Sequence, residues 1–154
     1  MAKKSTAASK THLAADEQEV WHAVKQLGHI ALSVVGKAIE ADTGLSGADF
    51  GVLSRLEDIG GGSLGQTELG RSLEWDKSRL SHHLTRMEAR KLVRREKTGS
   101  ARGVEVHILP EGQQAIAAAR PVHAAAIRQH ILQFIGPAER DVVLKLAAHL
   151  AAHS

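Results

Sequence analysis

The feature that most constrains this fold is one change of hydrophobic period. From Asp16 to Arg90, apolar side chains recur at spacings of three and four, as on amphipathic helices. At Leu92-Val93-Arg94-Arg95-Glu96 and at Val104-Glu105-Val106-His107-Ile108 the pattern becomes that of strands, the second alternating at period two. Between them lies Lys97-Thr98-Gly99-Ser100-Ala101-Arg102-Gly103, a glycine-containing turn. Helical periodicity then returns. The expected fold is mainly α with a small β-hairpin, set among helices on both sides.

Local signals divide the helical part. Val20, Val24, Leu27, Ala31, Val34 and Ala38 make one stripe over residues 16–41, with Asp16 and Glu17 where a helix N-terminus favours acids. Asp42-Thr43-Gly44 ends that helix, the glycine suited to a left-handed C-cap. Ser46 reads as the next N-cap, with Asp49 three residues on, before Phe50, Val52, Leu53 and Leu56. Gly60-Gly61-Gly62 is a loop by composition. A short helix over 66–73 carries Leu69 and Leu73. Glu74-Trp75 then leads to Asp76, a further N-cap, and a helix over 77–90 with Leu80, Leu84 and Met87 on one face. After the hairpin, Pro110-Glu111-Gly112 opens a long Ala-rich helix, expected to be interrupted near Pro121, and Gly136-Pro137 separates it from a last helix. Residues 1–14, small and polar with Lys3, Lys4 and Lys10, read as a flexible arm.

Charge is concentrated where the period changes. Residues 71–102 hold ten Lys and Arg against four Asp and Glu, and the remainder holds ten against thirteen. A net basic fifth within a mildly acidic chain is the footprint of a polyanion site. Cysteine is absent, which excludes disulfides, thiol nucleophiles and cysteine metal sites. No apolar run approaches the ~18 residues of a membrane span, and no apolar stretch follows the basic start, as a secretory signal would need. A cytoplasmic protein is expected.

A short helix, a tight turn and a second helix with a polar outer face form the helix-turn-helix layout, whose second helix enters the major groove. Here that helix offers Lys77, Ser78, Arg79, Ser81, His82, Thr85 and Arg86. Arg79 and Arg86 carry the fork that matches guanine O6 and N7; the hydroxyls and imidazole suit base edges or phosphates. The hairpin lies where a wing reaches DNA backbone or minor groove, which makes Arg94, Arg95, Lys97, Ser100 and Arg102 candidates there. Arg102 pairs either with DNA or with a local acid. Trp75 reads as a packing residue rather than a base-stacking platform.

Residues 45–112 resemble the MarR family of bacterial winged-helix transcriptional regulators. The resemblance rests on Leu45-Ser46-Gly47-Ala48-Asp49-Phe50-Gly51-Val52-Leu53, on Gln66-Thr67-Glu68-Leu69-Gly70, on Lys77 to Glu88 and on Leu92-Val93-Arg94-Arg95. It implies a winged helix-turn-helix lobe over 42–110 and dimerisation helices over 15–41 and 111–154. Implied with these are a homodimer on a pseudo-palindromic operator in double-stranded DNA, repression, and release by a small aromatic effector. The implied effector pocket draws on the first helix, residues near 45–56 and the fifth helix.

Three departures stand out. The family's Asp-x-Arg wing triplet is Ser100-Ala101-Arg102 here. Lys91 stands where glycine is common. Ile108-Leu109 replaces Leu-Thr, removing the usual Thr cap of the next helix.

No cofactor or metal is implied, and no catalytic residue is assigned: a phosphate-cradling loop and a strand-turn-helix nucleophile are both missing. His22 and His29, and likewise His123 and His130, lie seven apart on their helices. They are either plain surface or pocket histidines or groups that bind metal or sense pH. The alternative to a sequence-specific regulator is a non-specific DNA-bending, nucleoid-architecture protein, against which the Arg-bearing polar helix argues.

Overall fold

The computed structural model describes residues 12–99 and 103–153. The predicted arm therefore lies, apart from residues 12–14, outside the described residues, as do Ser100 and Arg102. The elements are α1 (Ala15–Thr43), α2 (Gly47–Asp58), β1 (Ser63–Gly65), α3 (Gln66–Leu73), α4 (Lys77–Ala89), β2 (Val93–Lys97), β3 (Val104–Ile108), α5 (Pro110–His130), a 3-10 turn (Leu132–Phe134) and α6 (Pro137–Ala151).

The caps behave as their residue types require. Gly44 closes α1 in the left-handed region at φ 68°, its N–H donating to the Glu40 carbonyl. Ser46 and Asp49 form a reciprocal capping box on α2: the Ser46 hydroxyl accepts from the Asp49 N–H at 3.1 Å, and the Asp49 carboxylate accepts from the Ser46 N–H at 3.2 Å. Leu109, where a Thr cap would stand, makes no side-chain cap; Pro110 at the start of the helix brings the fixed φ suited to a first turn and has no N–H to leave unpaired.

The structure corrects two expectations. The hairpin is part of a three-stranded antiparallel sheet among the described residues, ordered β1-β3-β2, with Leu64 opposite Val106 and Arg95 opposite Val106 on the other side. Three residues are too few to show a period; β1 exists because β3 offers it a free edge. The helix after the hairpin is also not interrupted at Pro121. α5 runs unbroken because Ile116, Ala119 and Ala126, before and after the proline, are buried while Pro121 itself is exposed. Packing on both sides outweighs one missing hydrogen bond.

The core lies between α2, α3, α4, the sheet and the first half of α5. Val52, Leu53, Leu56, Leu69, Leu84, Met87, Val106 and Ile116 are wholly buried there, with Ile39 and Leu45 at the α1–α2 corner. The outer helices differ. Ile39 is the one buried residue of α1, and no residue of α6 is buried. Val20, Trp21, Leu27 and Leu32 on α1 and Val142, Val143, Leu146 and Leu150 on α6 all stand exposed.

Two backbone positions fix how the wing leaves the helices. Lys91 sits at φ 57°, the left-handed region that glycine enters at least cost. Gly112 passes so close to β2 that an added Cβ would lie 2.2 Å from the Leu92 carbonyl oxygen. Lys91→Gly should therefore leave stability within about 1 kcal/mol of the parent, because relief of strain offsets added chain entropy. Gly112→Ala should cost about 1–3 kcal/mol by overpacking. Urea unfolding at one protein concentration reads both; equal effects of the two changes would refute this account of the junction.

Candidate nucleic-acid interface

The turn between α3 and α4 is built by close approach. Gly70 is buried, and a Cβ there would meet the Leu80 side chain at 3.3 Å and the Trp75 carbonyl at 3.4 Å. The Trp75 N–H donates to the Gly70 carbonyl at 2.9 Å, and Glu74 takes the left-handed conformation at φ 55°. Asp76 then caps α4, accepting from the Arg79 N–H at 2.9 Å. Leu80, Leu84 and Met87 bury the inner stripe.

The opposite face presents Lys77, Ser78, Arg79, His82, Thr85 and Arg86 exposed, with Ser81 half-buried. The Arg79 guanidinium lies 4.3 Å above the Trp75 ring, a cation–π contact that limits its rotamers. Trp75 is thus a packing residue, as its sequence context suggests. His83, in contrast, is buried against the Trp75 edge, with ring centroids 5.2 Å apart.

One predicted contact residue is committed elsewhere. Arg95 donates from Nε and Nη2 to Glu88, at 3.0 and 2.6 Å, and its own backbone N–H reaches the same carboxylate at 2.8 Å. It also donates to the Thr85 hydroxyl at 2.9 Å and to that of Ser81 at 3.4 Å. Arg95 is a brace fixing β2 to α4, rather than a guanidinium free for phosphate, and it engages two hydroxyls of the polar face. Hydrogen bonds from Arg95 hold the Glu88 carboxyl below its ordinary value, against a smaller opposing effect of burial. Among the described residues Arg94 pairs with Glu96, at 2.8 Å with both side chains more than half exposed. Such a pair is weak and gives way readily. Lys97 is exposed.

Sequence reasoning missed a second cluster behind α4. Asp49, nearly inaccessible, receives Arg90 Nη1 at 2.6 Å and lies 2.9 Å from His83 Nε2, a short contact with the N–H off axis. Burial pushes the Asp49 carboxyl up, but hydrogen bonds from His83, Arg90 and Ser46, with the Arg90 charge, hold it well below the usual carboxylate range. Only the capping-box half of this was readable, because Arg90 lies forty-one residues away.

Between α1, α2 and α5 opens a cleft of about 780 Å³, lined by Phe50, Trp75, Arg79, Arg55, His123 and Ile127 among others. His123 stacks on Phe50 with centroids 4.5 Å apart. Its burial, and then the nearby Arg120 charge, lower its basicity below that of an ordinary histidine. His22, His29 and His130 are exposed. His149 and His153, four apart on α6 and its end, stack at 4.8 Å, a spacing the sequence analysis did not single out. Among the described residues no three His, Asp or Glu gather as a metal site. Among them, too, no helix is long and apolar enough to cross a membrane.

The comparisons with known proteins agree with this layout. A family model described as MarR family matches residues 43–102. AbsC, a MarR family transcriptional regulator from Streptomyces coelicolor, superposes with a TM-score of 0.82 at 28% identity, covering 92% of this chain and 96% of its own. Sco3205, a MarR family regulator of the same organism whose structure is a complex with DNA, gives 0.82 at 27%, over 91% and 92%. BpsR of Bordetella bronchiseptica, whose DNA binding is regulated by 6-hydroxynicotinic acid, shares the fold at 0.74 and 23%, over 86% and 98%. No curated protein matches.

Asp49→Ala should cost about 2–4 kcal/mol, since it removes a helix-capping acceptor and strands a buried partner. The sign with pH follows from the lowered folded value. The contribution is complete above the unfolded Asp value of about 4 and is lost as pH falls through the folded one. Urea unfolding followed by tryptophan fluorescence should show the gap between parent and variant closing in acid. A gap of the same size at pH 7 and pH 3 would contradict this.

Proposed function

We propose that the chain, whose residues 43–102 match a MarR family model, is a homodimeric, sequence-specific DNA-binding repressor of that family. The observation that carries the reading is the polar face of α4, capped by Asp76 and set on a fully buried Leu80, Leu84 and Met87 stripe. Its exposed residues Lys77, Ser78, Arg79, His82, Thr85 and Arg86, with Ser81 at the margin, would meet base edges and phosphates in the major groove. The wing, through Arg94, Lys97, Ser100 and Arg102, would reach backbone or minor groove. The likeness to Sco3205, which binds DNA, supports this docking.

The proposed division is a DNA-binding lobe over 42–110 and dimerisation helices over 15–41 and 111–154. The exposed apolar residues of α1 and α6 support it, since a large apolar surface on a regulator calls for a partner helix. A two-fold dimer sets its recognition helices about one DNA turn, roughly 34 Å, apart and so reads a pseudo-palindrome. The cleft beside Phe50, Trp75 and His123 suits a small aromatic effector, and BpsR supplies a precedent for such regulation. The effector would release DNA only by favouring a dimer whose helices are wrongly spaced; equal affinity for both states shifts nothing.

Fluorescence anisotropy on DNA flanking the chain's own gene, against scrambled duplex at several salt concentrations, tests the reading. A specific site tighter by about a thousandfold, with a steep negative salt slope, is expected. Arg79→Ala should cost about 1–3 kcal/mol and relax preference at one base pair, whereas Arg102→Ala should weaken all sequences evenly. If neither substitution changes affinity, the docking is wrong. If genome-wide selection of bound fragments yields no preferred site, the protein is a non-specific DNA binder instead.

A further inference from the structure

We propose that Asp49 and His83 are positioning residues that hold Arg86 in one orientation on the recognition helix, and that proton uptake by His83 releases it. The inference rests on the reading that α4 docks in DNA through Arg86.

The contacts form a chain across two helices. Arg86 Nη2 lies 2.8 Å from His83 Nδ1, one helical turn away on α4. On the other side of the same ring, His83 Nε2 lies 2.9 Å from Asp49 Oδ1 on α2. Asp49 is itself fixed, its Oδ2 accepting from the Ser46 N–H and from Arg90 Nη1, while Arg90 Nη2 donates to the Gly44 carbonyl at 3.3 Å.

Donor and acceptor chemistry then selects one state of the ring. An ionised carboxylate only accepts, so the nitrogen facing Asp49 must carry a hydrogen. A guanidinium only donates, so the nitrogen facing Arg86 must offer a lone pair. One species meets both demands: neutral imidazole with its hydrogen on Nε2. A protonated His83 would set a donor against a donor, and a positive charge against Arg86, at 2.8 Å.

The charged groups around the ring are divided, with cations on its own helix and acids on α2 and α1. Arg86 and Arg79 share its helix, Arg90 ends that helix, Asp49 faces it from α2, and Glu40 of α1 lines the same cleft. A proton on His83 therefore strengthens the pair with Asp49 and expels Arg86, so the fold is kept while the arginine is freed. A helix contact between residues three apart arises without any role in recognition. What distinguishes this one is Asp49, from another helix, whose carboxylate 2.9 Å from Nε2 favours the tautomer with hydrogen on that nitrogen. A bidentate guanine contact depends on the angle of its fork. An Arg86 held by His83 therefore reads a base pair better than a free one.

The test uses the full chain and the operator duplex that it selects, with single base-pair changes, between pH 7.5 and 5.5. The parent protein should lose about tenfold of its discrimination at the base pair read by Arg86, within what one bidentate contact supplies. His83→Gln, which keeps a donor and an acceptor but does not titrate, should show discrimination that does not change over that range. His82→Gln, whatever it does to affinity, should keep the pH response. A pH-independent parent, or a His83→Gln variant that responds as the parent does, overturns the proposal while leaving the docking intact. An Arg86→Ala protein with unchanged affinity and base preference overturns the docking as well.

Should His83→Gln fail to fold, long-range proton–nitrogen NMR of the parent imidazole decides. Hydrogen on Nε2 with a bare Nδ1 at pH 7.5 is expected, and the opposite tautomer refutes the proposal.

Discussion

Much of this fold hangs on one buried carboxylate. Asp49 sits at the start of α2, where it completes the cap with Ser46, and from there it reaches His83 and Arg90 at the two ends of the second half of α4. Burying a carboxylate is costly unless every lone pair finds a donor. Here the backbone N–H of Ser46 and the Arg90 guanidinium donate to it, and the His83 imidazole lies 2.9 Å away. The consequence is geometric. α4 is oriented from its N-terminal turn by Asp76 and Gly70, and again from behind by Asp49 of α2. A change in how α1 and α2 sit is therefore felt along α4.

The same arrangement changes what the charge pattern means. Counted along the chain, residues 71–102 are strongly basic. In space, two of those arginines are tied to carboxylates: Arg90, itself exposed, to Asp49 and Arg95 to Glu88. The positive groups left to an outside polyanion are fewer, and the removed ones act as struts between helix and helix or helix and wing. A bidentate guanidinium suits this role better than lysine, because its planar fork fixes direction as well as distance. The hairpin without an Asp-x-Arg triplet is thus still tied to α4, through Arg95 at its base.

What was legible in the sequence is what is local. Gly44, Ser46 and Asp76 announce helix ends through chemistry acting within four residues, and the Leu80, Leu84 and Met87 stripe fixes the inner face of α4. The order of helix-turn-helix and hairpin followed from these signals. The illegible parts depend on residues far apart. β1 has no period of its own and exists through its pairing with β3. Pro121 reads as a break until Ile116 and Ala126 are seen buried on either side of it. Arg95 looks like its neighbour Arg94, and only the position of Glu88 separates a brace from an exposed, weakly paired cation. His83 looks like its neighbour His82, and only the packing against α2 separates a buried histidine from an exposed one.

The cleft and the recognition helix share side chains, and this bears on the proposed effector mechanism. Phe50 and His123 stack on one wall, and Trp75 and Arg79 lie on another. Trp75 packs its edge against His83 and carries the Arg79 guanidinium on its face. A molecule seated beside Trp75 need not push on α4 through the body of the protein. By moving one indole it alters the support of Arg79 directly and that of His83 at its ring edge. Since interiors this closely packed shift between discrete arrangements, two of the polar face's arginines answer to a single aromatic ring. That places the sensitive point of such a mechanism at the turn between α3 and α4, ahead of any wider motion of the dimer.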